Sequence, residues 1–167
     1  LDPTEAADRN RAGVTNALAA AREAGVEIAF TSRSDSTLRG HFPLETDTIA
    51  DTLENQDGRR TDGVVIVPAF PDAGRVTIGG THYTRGEESG CLTPVADTEF
   101  ARDATFGYAS SSLAEYVEEK SEGRHPASEV IVLDLTVLRT GTPEESAAGI
   151  ADALEPATNR TPIVVDI

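Results

Sequence analysis

Apolar residues fall along this chain in short blocks separated by polar and glycine-rich stretches, and the spacing within each block sets its expected structure. The first block has helical spacing: Ala7, Val14, Ala17, Leu18 and Ala21 make a stripe of mostly small side chains. Asp2 is placed to cap this helix, Pro3 suits its first position, Glu5 stands where a capping-box carboxylate would, and Gly25 can end it. A short strand is expected over Glu27–Thr31. Pro43 opens a second helix with Leu44, Ile49 and Leu53 on one side, and residues 55–62 read as a turn.

Gly63–Val67 is the clearest strand, and its unbroken β-branched run predicts burial on both faces, as in a parallel sheet. Residues 75–94 are Gly-rich with β-prone pieces such as Thr81–Thr84, which predicts a hairpin or extended arm. Ser110–Ser121 is a third helix that turns Leu113, Tyr116 and Val117 inward. A strand follows over Val130–Leu133. A second capping-box start, Thr142-Pro143-Glu144-Glu145, then opens a helix carried by Ile150 and Leu154 to Pro156, and Pro162–Asp166 is the last strand. Strands alternating with helices predict an α/β fold with a mostly parallel sheet flanked by helices. A length of 167 residues fits a single domain over 1–167.

Charge narrows the partners. A net charge of −15 argues against nucleic acid and against anionic membrane surfaces, because both need Lys and Arg to neutralise their phosphates. Lys120 is the only lysine among 14 basic residues, and there is no Met or Trp. Salt adaptation and a GC-rich genome both give this composition. Stability in KCl separates them. If the acidic surface is an adaptation, the melting temperature should rise between about 0.1 M and molar KCl as screening relieves self-repulsion, and a flat response favours genome bias. The lone Cys91 excludes an internal disulfide and offers no metal clip. With no signal peptide and no run of 18 apolar residues, the expected compartment is the cytoplasm.

Two polar loops carry the candidate chemistry. Arg33-Ser34-Asp35-Ser36-Thr37-Leu38-Arg39-Gly40-His41 follows the apolar run Val26–Phe30, and Pro68-Ala69-Phe70-Pro71-Asp72-Ala73-Gly74-Arg75 follows Val64–Val67. Loops that leave the carboxyl ends of parallel strands line the ligand crevice of such sheets. Arg39 can hold a carboxylate through two parallel hydrogen bonds. The hydroxyls of Ser34, Ser36 and Thr37 both donate and accept, Asp35 accepts from sugar hydroxyls, and Gly40 admits close backbone approach. A helix opening at Pro43 would add a partial positive charge. Arg75 can steady an acid or phosphoryl group. Asp72 and His82 are secondary candidates. The plain alternative is that the first loop only caps a helix and the second is a rigid turn.

The two loops together resemble the signature of the four-carbon acid sugar kinases in their N-terminal, substrate-binding domain. That family reads approximately Lys-Thr-Asp-Ser-Thr-Leu-Arg-Gly, then Pro-Ala-Phe-Pro-x-x-Gly-Arg-x-Thr. The spacing between the loops, His82, Pro94–Asp103 and the closing segment Glu129–Asp166 also look like the family. Arg33, Ser34 and His41 depart from it, standing where Lys, Thr and often Asn occur, which puts substrate identity in doubt. The resemblance implies an ATP-dependent kinase acting on four-carbon sugar acids of the threonate, erythronate or 3-oxo-tetronate type. Arg33, Ser34, Asp35, Ser36, Thr37, Arg39, Gly40 and Arg75 would bind the substrate.

The family's proteins are longer and two-lobed. Their first strand would lie before Leu1 and their nucleotide lobe after Ile167, so ATP and Mg²⁺ would be held mainly by that C-terminal lobe. The chain itself has no G-x-x-x-x-G-K-[ST] loop. Its partners would be a small sugar acid and its own C-terminal lobe, with homo-oligomerisation left open. Two other readings stand beside the kinase: a non-catalytic organic-acid-binding module or truncated gene product, and an isomerase or aldolase, for which Lys120 is a poor Schiff-base candidate.

Overall fold

A computed structural model describes residues 1–86 and 90–167; residues 87–89, inside the Gly-rich arm, lie outside it. The chain divides into two compact units, Leu1–Asp35 with Gly40–Thr61, and Ser36–Arg39 with Asp62–Ile167.

The first unit is a pair of helices, α1 (Pro3–Ala24) and α2 (Leu44–Asp57), packed against each other. Helix α1 starts and stops as its sequence predicts. Asp2 accepts from the Glu5 amide at 2.9 Å, Pro3 opens the helix, and Gly25 closes it in the left-handed conformation at φ 65°. Its buried residues are Ala6, Val14, Leu18 and Ala21. In α2 the fully buried side chains are Thr48, Ala50 and Thr52, while Leu44, Ile49 and Leu53 are only half-buried. Thr48 and Thr52 donate to the carbonyls of Leu44 and Thr48, at 2.8 and 2.6 Å, so their hydroxyls are satisfied on a small-residue helix face.

The strand expected over Glu27–Thr31 does not form. Residues 26–35 carry no regular structure and are largely exposed, with Val26 at 60%. A strand needs a laddered neighbour, and among the described residues none pairs with this segment. Instead the Ile28 carbonyl accepts from Arg59 at 2.8 Å, and Ser32 donates to Glu45 at 2.8 Å.

The second unit holds the sheets. Strands β1 (Gly63–Ile66), β5 (Ile131–Leu133) and β6 (Thr161–Val165) form a parallel sheet in the order β1-β6-β5. Helix α3 (Leu113–Lys120) packs on β6, and α4 (Leu135–Arg139) and α5 (Pro143–Leu154) pack beside β5. The α5 capping box forms in both directions between Thr142 and Glu145. Helix α4 escapes the hydrophobic pattern. It is started by Asp134, which accepts from the Thr136 and Val137 amides at 2.8 and 3.0 Å.

Residues 63–67 are not buried on both faces. β1 is paired on one side only among the described strands, and Val65 and Val67 are 60% and 45% exposed. The doubly buried strand is β6, which has a neighbour on each side and buries Pro162, Ile163 and Val164.

The arm over 75–94 is an antiparallel sheet of β2 (Arg75–Ile78), β3 (Thr81–Arg85) and β4 (Leu92–Pro94). The β2–β3 turn is Gly79-Gly80, both at positive φ, as a two-residue hairpin turn requires. This sheet is fastened to the end of β6. Thr77 and Ile167 exchange backbone hydrogen bonds at 2.9 and 3.0 Å. The buried carboxylate of Asp166 accepts from the Gly79 and Gly80 amides at 2.6 and 2.9 Å.

Candidate functional site

The parallel strands fix which end of β1 carries the second polar loop. β1 runs out into residues 67–70, which lead to a single 3-10 turn, Pro71–Ala73, and then to Arg75. Phe70 and Arg75 exchange backbone hydrogen bonds at 2.8 and 3.1 Å, which pins both ends of the turn, and Gly74 takes φ 71° to close it. Arg75 lies with its guanidinium 5.5 Å from the centre of the Phe70 ring. Asp72 is exposed on the turn.

The first loop is divided between the units. Arg33, Ser34, Asp35 and Gly40 belong to the first, and Ser36–Arg39 to the second. Within the first unit, Gly40 has φ 150°, and a Cβ there would fall 1.6 Å from the Ser34 hydroxyl oxygen. Any larger residue at 40 would therefore expel the Ser34 side chain. The helix N-terminus expected to draw an anion is already furnished with acid. α2 carries Glu45 and Asp47 in its first turn, and Glu45 accepts from the His41 amide at 3.4 Å.

Within the second unit, Ser36–Arg39 form a tightly held corner. Thr37 and Leu38 both adopt the left-handed conformation, with φ 55° and 62°. Each such residue costs about 1–2 kcal/mol, and a β-branched Thr is an uncommon occupant. Burial and hydrogen bonds hold the corner against that strain. Thr37 is 3% and Leu38 8% exposed, the Leu38 carbonyl accepts from the Tyr116 hydroxyl at 3.0 Å, and Thr37 donates to the Ser36 carbonyl at 2.6 Å. Backbone strain this well supported points toward function.

The corner fixes Arg39. Its Nε donates to the Ser36 carbonyl at 3.1 Å and one Nη to the Ser36 hydroxyl at 3.2 Å, while the guanidinium lies 5.2 Å from the centre of the Phe100 ring. The Asp103 carboxyl is held below the usual range, first by the Phe106 and Thr105 amides and less by the charge of Arg39. Burial pushes the Tyr108 hydroxyl up to about 12, and the charge of Arg39 partly opposes that rise. Phe100, Asp103, Tyr108 and Tyr116 were not anticipated as parts of this arrangement. They come from three other stretches of chain; the sequence marked only Tyr116 as inward-facing on its helix and Pro94–Asp103 as a family-like segment, and neither was tied to Arg39.

His82 is placed differently from the loops. It is fully buried under the hairpin, its Nδ1 is 3.1 Å from the Thr77 hydroxyl, and its Nε2 is buried with no hydrogen-bond partner in the structure. Burial drives its imidazole down to about 4, against a raising contribution from the Val76 carbonyl, with the charge of Arg75 a smaller lowering one.

The family model for the sugar-binding N-terminal domain matches residues 1–167. The chain belongs to that family. It is 34% identical over 93 residues to the D-erythronate kinase of Heliobacterium modesticaldum, a match that covers 56% of this chain and 19% of the kinase. Among solved structures, a domain of unknown function from Bordetella bronchiseptica, with bound citrate and described as a domain-swapped dimer, aligns over the whole chain and 33% of its own length. That match has 27% identity and a TM-score of 0.60. A structure from Salmonella typhimurium described as a putative tRNA synthase shares the fold, with a TM-score of 0.62 at 19% identity over 92% of this chain and 33% of its own. The chain thus spans about a fifth of the curated kinase it matches and about a third of these structures.

Proposed function

We infer that this family member is the acid-sugar-binding part of an ATP-dependent kinase that transfers a phosphoryl group to a hydroxyl of a four-carbon sugar acid of the threonate, erythronate or 3-oxo-tetronate type. The observation that carries this reading is the fixed guanidinium of Arg39, oriented by the two bonds it donates to Ser36 on a strained, buried corner. A planar fork held in one orientation suits a carboxylate, which it can bind through two parallel bonds. In this reading the Ser36 hydroxyl, with Arg33, Ser34, Asp35 and Gly40 beside it in the chain, receives the polyhydroxy body, while Thr37, buried with its hydroxyl on the Ser36 carbonyl, holds the corner instead of touching the ligand. Arg75, steadied on Phe70, would steady the phosphoryl group being transferred, and Asp72 orients Arg75. His82, being fully buried, serves by holding the hairpin that starts at Arg75.

The N-termini of the longer helices among the described residues do not favour the phosphates of a nucleotide. The first turns of α1, α2, α3 and α5 each carry at least one acid, which opposes phosphate at those N-termini. Among the described residues no three His, Cys, Asp or Glu side chains gather to hold a metal ion. The reading therefore assigns ATP and Mg²⁺ to the part of the relatives' length that lies outside this chain, and the 167-residue chain alone is expected to turn over no ATP. No helix among the described residues is long and apolar enough to cross a membrane.

A second reading, an organic-acid-binding module without catalysis, is favoured by one observation: the Bordetella relative is described with citrate bound and no assigned function. That relative's domain-swapped dimer also suggests a homodimer here. A kinase assay of the full-length protein with ATP against a panel of C4 sugar acids separates the two readings. Phosphorylation of one or two of the acids is expected. Saturable binding without turnover would favour the module, and absence of both would contradict the reading.

A further inference from the structure

A cavity within the second unit is lined by residues outside both polar loops. It has a volume of about 390 Å³, and its walls come from the residues just before β5 and from the start of β6, including Glu129, Thr161 and Pro162. Because β5 and β6 are parallel, these are the amino ends of both strands. The proposed sugar-acid residue Arg75 follows the carboxyl end of β1, which is parallel to β6. β6 is five residues long, so at about 3.3 Å per residue the two edges are separated by roughly 16 Å of sheet. The cavity is therefore a separate place on the fold.

Its lining runs against the charge of the chain. Arg124, Arg160 and His125 line it with a single acid, Glu129, although the protein carries a net charge of −15. The backbone is strained at the same spot: Asn159 and Arg160 are consecutive non-glycine residues at φ 52° and 67°, and both face the cavity wall. Glu122 and Gly123, at φ 54° and 78°, form the turn that leads into Arg124 and His125. Left-handed backbone at three non-glycine positions, Glu122, Asn159 and Arg160, in the two turns that carry these side chains marks a built feature, since each such residue is costly.

We propose that this cavity is a second anion site, which takes a small molecule bearing a phosphate group. Two guanidiniums and an imidazole along one lining bring positive charge and several N–H donors, which suit a tetrahedral dianion better than a single carboxylate. The volume is in the range of small-molecule sites and exceeds what inorganic phosphate alone fills, so the phosphate is attached to a short organic body. The site stands independently of the sugar-acid reading.

The test uses the full-length protein, titrated with inorganic phosphate and with glycerol 3-phosphate, against KCl at matched ionic strength. The His125 ring signals, assigned with a His125→Gln variant, should shift saturably with both probes and at lower concentration with glycerol 3-phosphate. Replacing Arg124 and Arg160 together by Gln should weaken binding at least tenfold and leave sugar-acid binding unchanged. Three results would each overturn the proposal: no saturable shift at His125 in the wild-type protein, the same shift with KCl, or phosphate binding undiminished in the double variant. Should the double variant fail to fold, the wild-type His125 titration decides alone.

Discussion

Asp166→Ala is expected to remove about 3–5 kcal/mol of stability, a large part of the 5–15 kcal/mol that domains of this kind possess. The reason is local. The carboxylate is 2% exposed and accepts from two amides, Gly79 at 2.6 Å and Gly80 at 2.9 Å. Each bond to a charged acceptor contributes about 1.5–3 kcal/mol, and truncation also leaves two donors without an acceptor, one on a buried glycine. Asp166→Asn should cost about half as much, because the amide oxygen can accept one bond while its NH₂ opposes the second donor. Chemical denaturation measures both losses. Hydrogen exchange at Gly79 and Gly80 should accelerate in parallel, since the turn loses its anchor to β6. A loss below 1 kcal/mol for Asp166→Ala would mean that the clamp contributes little.

Acid should weaken the fold in a window set by His82. Its imidazole titrates at about 4 in the folded protein against 6.5 ordinarily, because burial penalises the charged form. Below pH 6.5 the unfolded chain takes up a proton that the folded chain refuses. Stability is thus fully present above 6.5, falls as the pH drops toward 4, and levels off below. The total is about 3 kcal/mol. The carboxyls of Asp57 and Asp103 act in a different window. Asp57 is lowered mainly by its hydrogen bond to Arg22, and Asp103 by backbone amides. Their contributions are present above the ordinary carboxylate value and disappear only as the pH falls through the lower folded values. Denaturation curves between pH 7 and 4 should therefore slope in the wild type and flatten in His82→Gln. An equal slope in both proteins would assign the acid sensitivity elsewhere.

Much of the fold was legible where structure is decided by near neighbours in the chain. Asp2, Pro3 and Gly25 bound α1, Thr142 and Glu145 make the capping box of α5, and the Gly-rich stretch over 75–94 forms the expected hairpin; each rests on contacts a few residues long. What was misjudged depended on distant partners. β1 and β6 have nearly the same composition, and only the strand order makes one an edge and the other the centre. Glu27–Thr31 has strand-like residues and no strand beside it. The burial of Thr48 and Thr52 in place of Ile49 and Leu53 depends on which face of α2 meets α1.

The candidate site divides in the same way. The loops could be seen because their residue types announce hydroxyl and carboxylate chemistry. The support of Arg39 could not: Phe100 and Tyr116 lie more than sixty positions away along the chain. Asp166 left one faint sign, a single acid closing a run of four apolar residues.

Sugar-acid affinity of the full-length protein, measured by calorimetry for wild type, Arg39→Lys and Arg39→Ala, tests the central claim most directly. The ligand is whichever C4 acid the kinase panel identifies. Loss of a charge-assisted bond costs about 1.5–3 kcal/mol, so Arg39→Ala should bind the acid roughly ten- to a hundredfold more weakly. Arg39→Lys should be nearly as weak, since a point charge cannot reproduce two parallel bonds to a carboxylate. ATP affinity should stay close to wild type in both. Unchanged sugar-acid affinity in Arg39→Ala would contradict the account and leave the Ser36–Arg39 corner a structural feature of the fold.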